Sequence, residues 1–461
     1  MVVSIDVHRI EERFFILSKY LEPFLSDVSQ ILVRRVFSEK KVSRTIYFNN
    51  DDCPVPWGYS LKARQYFPDF SSVISISPND IYKVEIKGRK EGNVRDKIQR
   101  NLPIGEAIRF INEQLNTQMP DIVLRPYAAD EYQRVHFISR ENERMLRLTV
   151  DWNTRYAYFE EGSPEAIWTG NDDFIRVELK VSPEYGGSEE HNKVLEVIAK
   201  YSAVPVISKR SRAFNLASVF LDKKGSRMKK EIHEREIEAK FLVHHPNPAI
   251  LFLALKKHLQ GGHPYRVCPH YAYTKEEGGI NYYWARRDYQ QQIVEGLKIR
   301  FLGQLIKPVF KKSTSIIPDH FGLNCVLERE EVKGQAINFT QEAYNEIIRR
   351  AERDLGSLEF IGYLVRSRRA FWPENKVTGR VYHISIDECR SFDGRVIYQM
   401  EVEYTGRYLD RSSNESETEL KQAIREEVTE LSQEVLVFCN RSEQYLTPTT
   451  LTKFDWLRKK S

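Results

Sequence analysis

Residues 235–243 read Arg-Glu-Ile-Glu-Ala-Lys-Phe-Leu-Val, alternating charged and apolar side chains. In a strand, residues i, i+2 and i+4 share one face, so Glu236, Glu238 and Lys240 stand in a row. Two carboxylates beside an ammonium can hold a hard divalent cation next to an anion. Comparable rows recur along the chain: Lys62 and Arg64 in SLKARQY, Glu85 and Lys87 in VEIKGR, Glu178 in IRVELK, Lys298 and Arg300 in GLKIRFL. Glu328 and Glu330 in VLEREE, Arg366 and Arg368 in RSRRAF, and Glu401 and Glu403 in MEVEY complete the set.

These rows need strands to position them, and the strands come in two ordered series. RIEERFFIL matches REIEAKFLV, SLKARQY matches GLKIRFL, and YKVEIKGR matches NCVLEREE. YQRVHF matches RSRRAF, MLRLTVD matches YHISID, and IRVELK matches YQMEVEY. Each block alternates with the strand period of two. A basic, glycine-containing stretch, FLDKKGSRMKK, lies near the midpoint and reads as a linker. Helical patterns between the blocks include residues 104–116, 189–201, 341–355 and 421–436. The expected fold is α+β: two consecutive antiparallel β-barrel domains with peripheral helices, spanning residues 1–225 and 226–461. A solvated outer face explains one charged strand well and six poorly. A closed barrel with apolar residues outward under helices and charged residues in the lumen explains all six. A lumen of mixed Lys, Arg and Glu suits an anionic ligand held together with divalent cations.

The chain has 461 residues, 41% hydrophobic and 29% charged, which is a globular composition. Its 70 basic and 65 acidic residues leave a net charge of only +5, so no general nucleic-acid coat is expected. The five cysteines form no CxxC pair, which points to reduced thiols and a cytoplasmic protein rather than a disulfide framework or zinc site. No apolar run approaches the roughly eighteen residues of a membrane span. His244 and His245 are adjacent and point oppositely on a strand, so they read as structural. The aromatic stretch NYYWARRDY reads as packing, with nucleobase stacking as the alternative.

Glu236-Ile-Glu238-Ala-Lys240 resembles the ExExK signature that opens CYTH domains, and LKIR, VLEREE, RSRRAF, SIDE and MEVE follow in the family's order. The first half is more similar to the VTC-type polyphosphate polymerase domain, through IYFNN, SLKARQY, VEIKGR, RLTVDWN, VELK and SKR at Ser208–Arg210. Its opening departs from ExExK, with Arg9-Ile-Glu11-Glu12-Arg13 instead. Both families belong to the triphosphate tunnel metalloenzymes, eight-stranded barrels that bind linear triphosphate chains with magnesium or manganese.

The resemblance implies roles. Lys62, Arg64, Arg134, Arg147, Lys298 and Arg300 would be catalytic cations. Arg9, Arg13, Lys83, Lys87, Lys97, Lys209, Lys240, Arg366 and Arg368 would grip phosphates. Glu178, Glu85, Glu236, Glu238, Glu328, Glu330, Glu401 and Glu403 would hold Mn or Mg, with Asp387 a possible addition. At Arg9/Glu236, Lys87/Glu330 and Lys180/Glu403 the first half is basic where the second is acidic, so the first tunnel should favour phosphates and the second metals. The implied chemistry is attack on a phosphoanhydride, where positioning and charge neutralisation supply most of the catalysis. The acceptor decides the outcome. A phosphate chain end gives polyphosphate polymerase-like transfer from a nucleoside triphosphate, the favoured reading, and water gives a triphosphatase. A ribose hydroxyl gives a cyclase, and no acceptor gives a polyphosphate or nucleotide sensor. The expected partners are polyphosphate, tripolyphosphate or a nucleoside triphosphate, with no membrane span and no specific nucleic acid.

Overall fold

The computed structural model describes residues 2–6, 10–35, 42–49, 60–87, 95–116, 124–141, 145–201, 203–225, 228–229, 231–232, 235–261, 264–267, 275–287, 293–302, 305–318, 321–391, 393–408 and 415–458. Arg9, Cys53 and Cys268 lie outside the described residues. The chain divides into two compact units, Met1–Phe220 and Leu221–Ser461.

The principal strands of the first unit are β1 (Val2–Asp6), β2 (Ile10–Leu17), β3 (Val42–Asn49), β4 (Ser60–Phe67), β5 (Ile81–Lys87), β6 (Arg95–Pro103), β7 (Arg125–Ile138), β8 (Leu146–Phe159) and β9 (Phe174–Val181). They pair antiparallel in the order β1-β6-β5-β4-β3-β7-β8-β9-β2. Pairings among the described residues leave this sheet open between β1 and β2, which are consecutive in the chain. Alternation places Ile175, Val177, Leu179 and Val181 of β9 under helices α1 (Leu21–Ile31) and α3 (Glu189–Lys200), with Phe24, Val28, Val194 and Ile198. Helix α2 (Ile104–Asn116) covers Leu61, Ala63, Val84 and Ile86 in the same way. The alternate residues of these strands form the opposite, charged face. Helix α4 (Lys209–Gly225) starts at its edge.

The second unit contains β10 (Arg235–Val243), β11 (Lys275–Arg287), β12 (Ile293–Leu302), β13 (Leu305–Ile316), β14 (Val326–Lys333), β15 (Glu359–Phe371), β16 (Arg380–Ser391) and β17 (Val396–Tyr408). These eight form a closed antiparallel barrel in the order β10-β14-β13-β12-β11-β15-β16-β17, with β17 pairing both β16 and β10. Helices α5 (Pro248–Gln260), α6 (Gln341–Leu355) and α7 (Glu417–Cys439) surround it. A capping box, with Ser416 and Glu419 bonding each other's backbone N–H groups, starts α7. No helix among the described residues is long and apolar enough to cross a membrane.

One end of the barrel interior is apolar. The short C-terminal helix α8 (Lys453–Arg458) buries Phe454, Trp456 and Leu457 against inward-facing Tyr283, Ala285, Leu364 and Cys389. Gly296 on β12 makes room: a Cβ there would sit 2.5 Å from the Phe454 ring. Gly296→Ala should therefore push Phe454 out of place and cost about 1–3 kcal/mol, the usual penalty of overpacking. Urea denaturation checks this, and an unchanged midpoint would show that α8 does not seat there.

The structure corrects the third repeat block. Ile81–Lys87 follows β4 in its sheet, as Leu305–Ile316 follows β12, so β5 corresponds to β13 and β6 to β14. The YKVEIKGR–NCVLEREE match, and with it the Lys87/Glu330 contrast, is off by one strand. Three consecutive alternating strands carry the same period, and period alone cannot tell them apart.

Candidate functional site

In the second unit β10 contributes Glu236, Glu238 and Lys240, and β12 contributes Lys298 and Arg300. Arg366 and Arg368 come from β15, Asp387 from β16, and Glu401 and Glu403 from β17. All face the lumen. Lys240 Nζ lies 2.8 Å from Glu238 Oε1 and 3.0 Å from Glu401 Oε1. Arg368 forks onto Asp387 at 2.6 and 2.8 Å and also donates to Glu401.

The lumen also holds residues that sequence reading missed. Lys307 and Lys311 come from β13, Arg329, Glu331 and Lys333 from β14, and Lys453 from α8. Lys311 lies 3.2 Å from Glu236 and 2.7 Å from Glu331. Arg329 donates to Glu236 and lies 2.5 Å from Glu238. Lys453 reaches Asp387 at 2.9 Å and Glu401 at 2.8 Å.

Glu328 and Glu330 alternate with the lumen residues Arg329 and Glu331, and so fall on the outer face. Glu328 pairs there with Arg425 of α7 and with Arg235. They are therefore not metal ligands in the lumen; the residues of this strand that face it are Arg329 and Glu331, one residue along, and of these only Glu331 offers a carboxylate. Both faces of VLEREE are charged because α7 covers the outer one with an arginine, so polarity could not choose between them.

The space left is small, about 90 Å³, room for a few waters at about 30 Å³ each. Ten cations line it, against six carboxylates when Glu238 and Asp387 are included. Lys298 has no ion-pair partner among the described residues. Burial, then the neighbouring Lys311 charge, holds its ammonium well below the usual lysine range. Glu401 is held well below the carboxylate range: burial opposes ionisation, but Lys240, Lys453 and Arg368 outweigh it. Glu236 is brought down to about 2 against its burial by Arg329 and Lys311. Glu403 goes the other way. Burial and the Glu236 carboxylate, aided by Glu238 and Glu331, push it up to about 7.

That shift has a definite sign. A carboxyl raised above its ordinary value of 4.5 stabilises the fold in its protonated form. The contribution is full below about pH 4.5 and is lost as pH climbs towards 7, by at most about 1.4 kcal/mol per unit. The melting temperature should fall across that window, and Glu403→Gln should flatten the fall. Identical wild-type and variant pH profiles would refute this assignment.

A metal fits this lumen in its donor chemistry. Among the described residues no three acidic, His or Cys side chains already surround one metal-sized gap. The available donors are nevertheless all carboxylate oxygens, as hard cations prefer. Glu238 Oε1 and Glu331 Oε2 are buried without an aligned hydrogen bond. Ammonium and guanidinium groups lie near them, but off the hydrogen-bonding directions.

The charged face of the first unit repeats the same internal geometry. Arg134 forks onto Asp151 at 2.5 and 2.7 Å, and Lys209 reaches Asp151 at 2.6 Å. These contacts mirror Arg368, Asp387 and Lys453. Glu178 stands opposite Arg13 as Glu401 stands opposite Lys240, and Lys180 opposite Glu11 as Glu403 opposite Glu238. Where the second unit crowds carboxylates, Lys180 instead bonds Glu11 at 2.9 Å and Glu178 at 3.1 Å. Lys62, 2.8 Å from Glu85, has its ammonium lowered to about 8, by burial first and Arg64 second. Lys97 lies 3.6 Å and Lys87 4.0 Å from the same Glu85. Lys83 and Arg147 share this face, Lys83 at its exposed margin. Tyr132 was missed. Burial raises its phenol, but Arg134, Arg64 and Lys209 outweigh this and bring it to about 8. A larger groove of about 320 Å³ lies between α1 and α3, but it is a surface feature with an exposed Asp27–Lys200 pair.

NYYWARRDY splits by parity. Tyr283 faces the lumen, while Tyr282 stacks near Tyr363 and Phe360 on the outside. His244 bonds Thr447 and His245 packs on Tyr445, both away from the charged lumen.

No family model matches the chain, and no curated protein matches it. Among solved structures, the hypothetical protein NE1496 gives a TM-score of 0.15 at 12% identity, covering 38% of this chain and 79% of its own. Kievitone hydratase from Nectria haematococca gives 0.10 at 6% identity, covering 80% and 90%. Scores this low carry no inference about fold or function.

Proposed function

We propose that the chain carries out metal-dependent phosphoanhydride chemistry on a linear triphosphate or polyphosphate, with its first sheet also closing as a tunnel. The observation that supports this reading is the second unit's lumen: ten cations against six carboxylates, most of them paired with one another, around a space of about 90 Å³. A phosphate chain enters only by exchange. Its oxygens replace the carboxylates as partners of Arg366, Arg368, Lys240 and Lys453, and bidentate guanidinium contacts favour such oxyanions. The released Glu238 and Glu401, with Glu236 and Glu403 beside them, would then hold Mn or Mg. When bound, the cation neutralises charge on the transferring and leaving oxygens. Lys298 and Arg300 would hold the chain and stabilise the charge that builds on the leaving phosphate.

For the first unit we favour polyphosphate polymerase-like transfer from a nucleoside triphosphate. Lys180 there neutralises Glu178 and Glu11, leaving fewer free carboxylates and more phosphate partners. Purified protein given ATP or tripolyphosphate with manganese or magnesium should consume it, as followed by phosphorus NMR. Long chains lost on Glu178→Ala would support transfer in the first unit. No consumption of either substrate would overturn the proposal.

A further inference from the structure

One acid on the first unit's charged face takes no part in the ion pairs described above. Asp130 sits on β7 two residues before Tyr132 and four before Arg134, so all three point the same way. Thr45 stands opposite Asp130, and Arg64 stands opposite Thr45 on the next strand, so Asp130 shares the face of the phosphate-gripping cations. It is 0% exposed. Tyr47 donates its phenolic proton to Asp130 Oδ2 at 2.7 Å, while Oδ1 is buried with no hydrogen-bond partner among the described residues. In the second unit the same place, two before Arg366, is Leu364, packed against Phe454. The acid therefore belongs to the first unit alone.

A buried carboxylate oxygen without a donor costs far more than a carboxylic acid in the same place. We propose that Asp130 rests as the acid, with its proton on Oδ1, and donates that proton in a hydrogen bond to a phosphoryl oxygen of a chain held by Arg64 and Lys209. The groups facing it are divided, and burial outweighs those that favour the anion. Lys209 and Arg64 would pull the acid down and Asp151 push it up, while Tyr47 favours the anion and Tyr156 spends its own proton on Asp172. Burial is the largest effect and leaves Asp130 above the ordinary carboxyl range. On this cationic face Asp130 adds a neutral donor that works only while protonated, which makes it a specificity determinant for the phosphate chain. The inference rests on reading the first unit as a phosphate-chain site.

The test is calorimetric titration of tripolyphosphate in EDTA, from pH 5.5 to 7.5. The full chain carries Lys298→Gln/Arg300→Gln to weaken the second lumen without stripping Asp387 of its partner. With Asp130 present, affinity should fall about tenfold more across this range than with Asp130→Asn, whose amide keeps a donor at every pH. Asp130→Leu, the second unit's own residue here, should bind at least tenfold more weakly at pH 5.5. Thermal melts check folding, and the near-isosteric Asn variant keeps the comparison valid if Leu unfolds. Equal pH profiles with Asp130 and with Asp130→Asn would overturn this inference while leaving phosphate binding intact. No tripolyphosphate binding by any variant would overturn the phosphate-chain reading as well.

Discussion

A chain carrying Glu236→Gln and Glu238→Gln should lose metal-dependent turnover of tripolyphosphate in its second unit by about a thousandfold, the scale of removing a preorganised electrostatic partner of the transition state. Metal-free binding should survive or tighten. In the resting lumen Glu236 pairs with Arg329 and Lys311 and Glu238 with Arg329 and Lys240, and under the proposed function they would compete with phosphate for these cations. Their amides no longer compete as charges, so the incoming chain meets less internal opposition. Calorimetry in EDTA against phosphate release in manganese separates the two effects. Parallel loss of binding and turnover would mean that the pair only holds the barrel together. Unchanged turnover would place the metal elsewhere.

The residues that sequence reading found and those it missed differ in one physical respect. Glu236, Glu238, Lys240, Glu401 and Glu403 lie on strands whose other face is apolar, Ile237, Ala239, Val402 and Met400 being buried outside the barrel. There the period of two settles which residues share the lumen. VLEREE has charges on both faces, and its register was read one residue out. The strand KPVFKKSTSI carries proline and adjacent lysines and breaks alternation, so Lys307 and Lys311 had no pattern to reveal them. Lys453 stands at the start of a helix far along the chain, and only folding brings it to Asp387. Its counterpart Lys209 lies in the SKR stretch, which stood out only by resemblance, and the Thr-Lys at 452–453 echoes the Ser-Lys at 208–209. Closure of the second barrel follows from β17 pairing on both sides. The ordered blocks implied closure, but no single strand could.

Arg368→Ala should be among the most destabilising single changes in the second unit, at about 3–5 kcal/mol, because it leaves buried charge without its partner. Asp387 is 0% exposed and accepts both arms of Arg368's fork, and Glu401 accepts from the same guanidinium. Lys453 remains as a partner for both carboxylates, which keeps the cost finite. Arg368→Ala/Asp387→Asn should recover part of the loss, since the uncompensated charge goes with its partner. The pH dependence gives a second handle. Against the effect of burial, Arg368, Lys453 and Arg366 hold Asp387 well below the ordinary carboxyl range, so it stabilises the folded state above an unfolded value near 3.8. That contribution fades as pH falls below it. Without Arg368 the carboxyl rises and takes up a proton at higher pH. The penalty of Arg368→Ala should therefore be largest at neutral pH and shrink on acidification, in urea denaturation followed from pH 7 to 4. A penalty independent of pH would mean that Arg368 contributes by packing alone. A penalty that shrinks would mean that the lumen is held by charge pairs, the pairs that a phosphate chain would have to exchange under the proposed function.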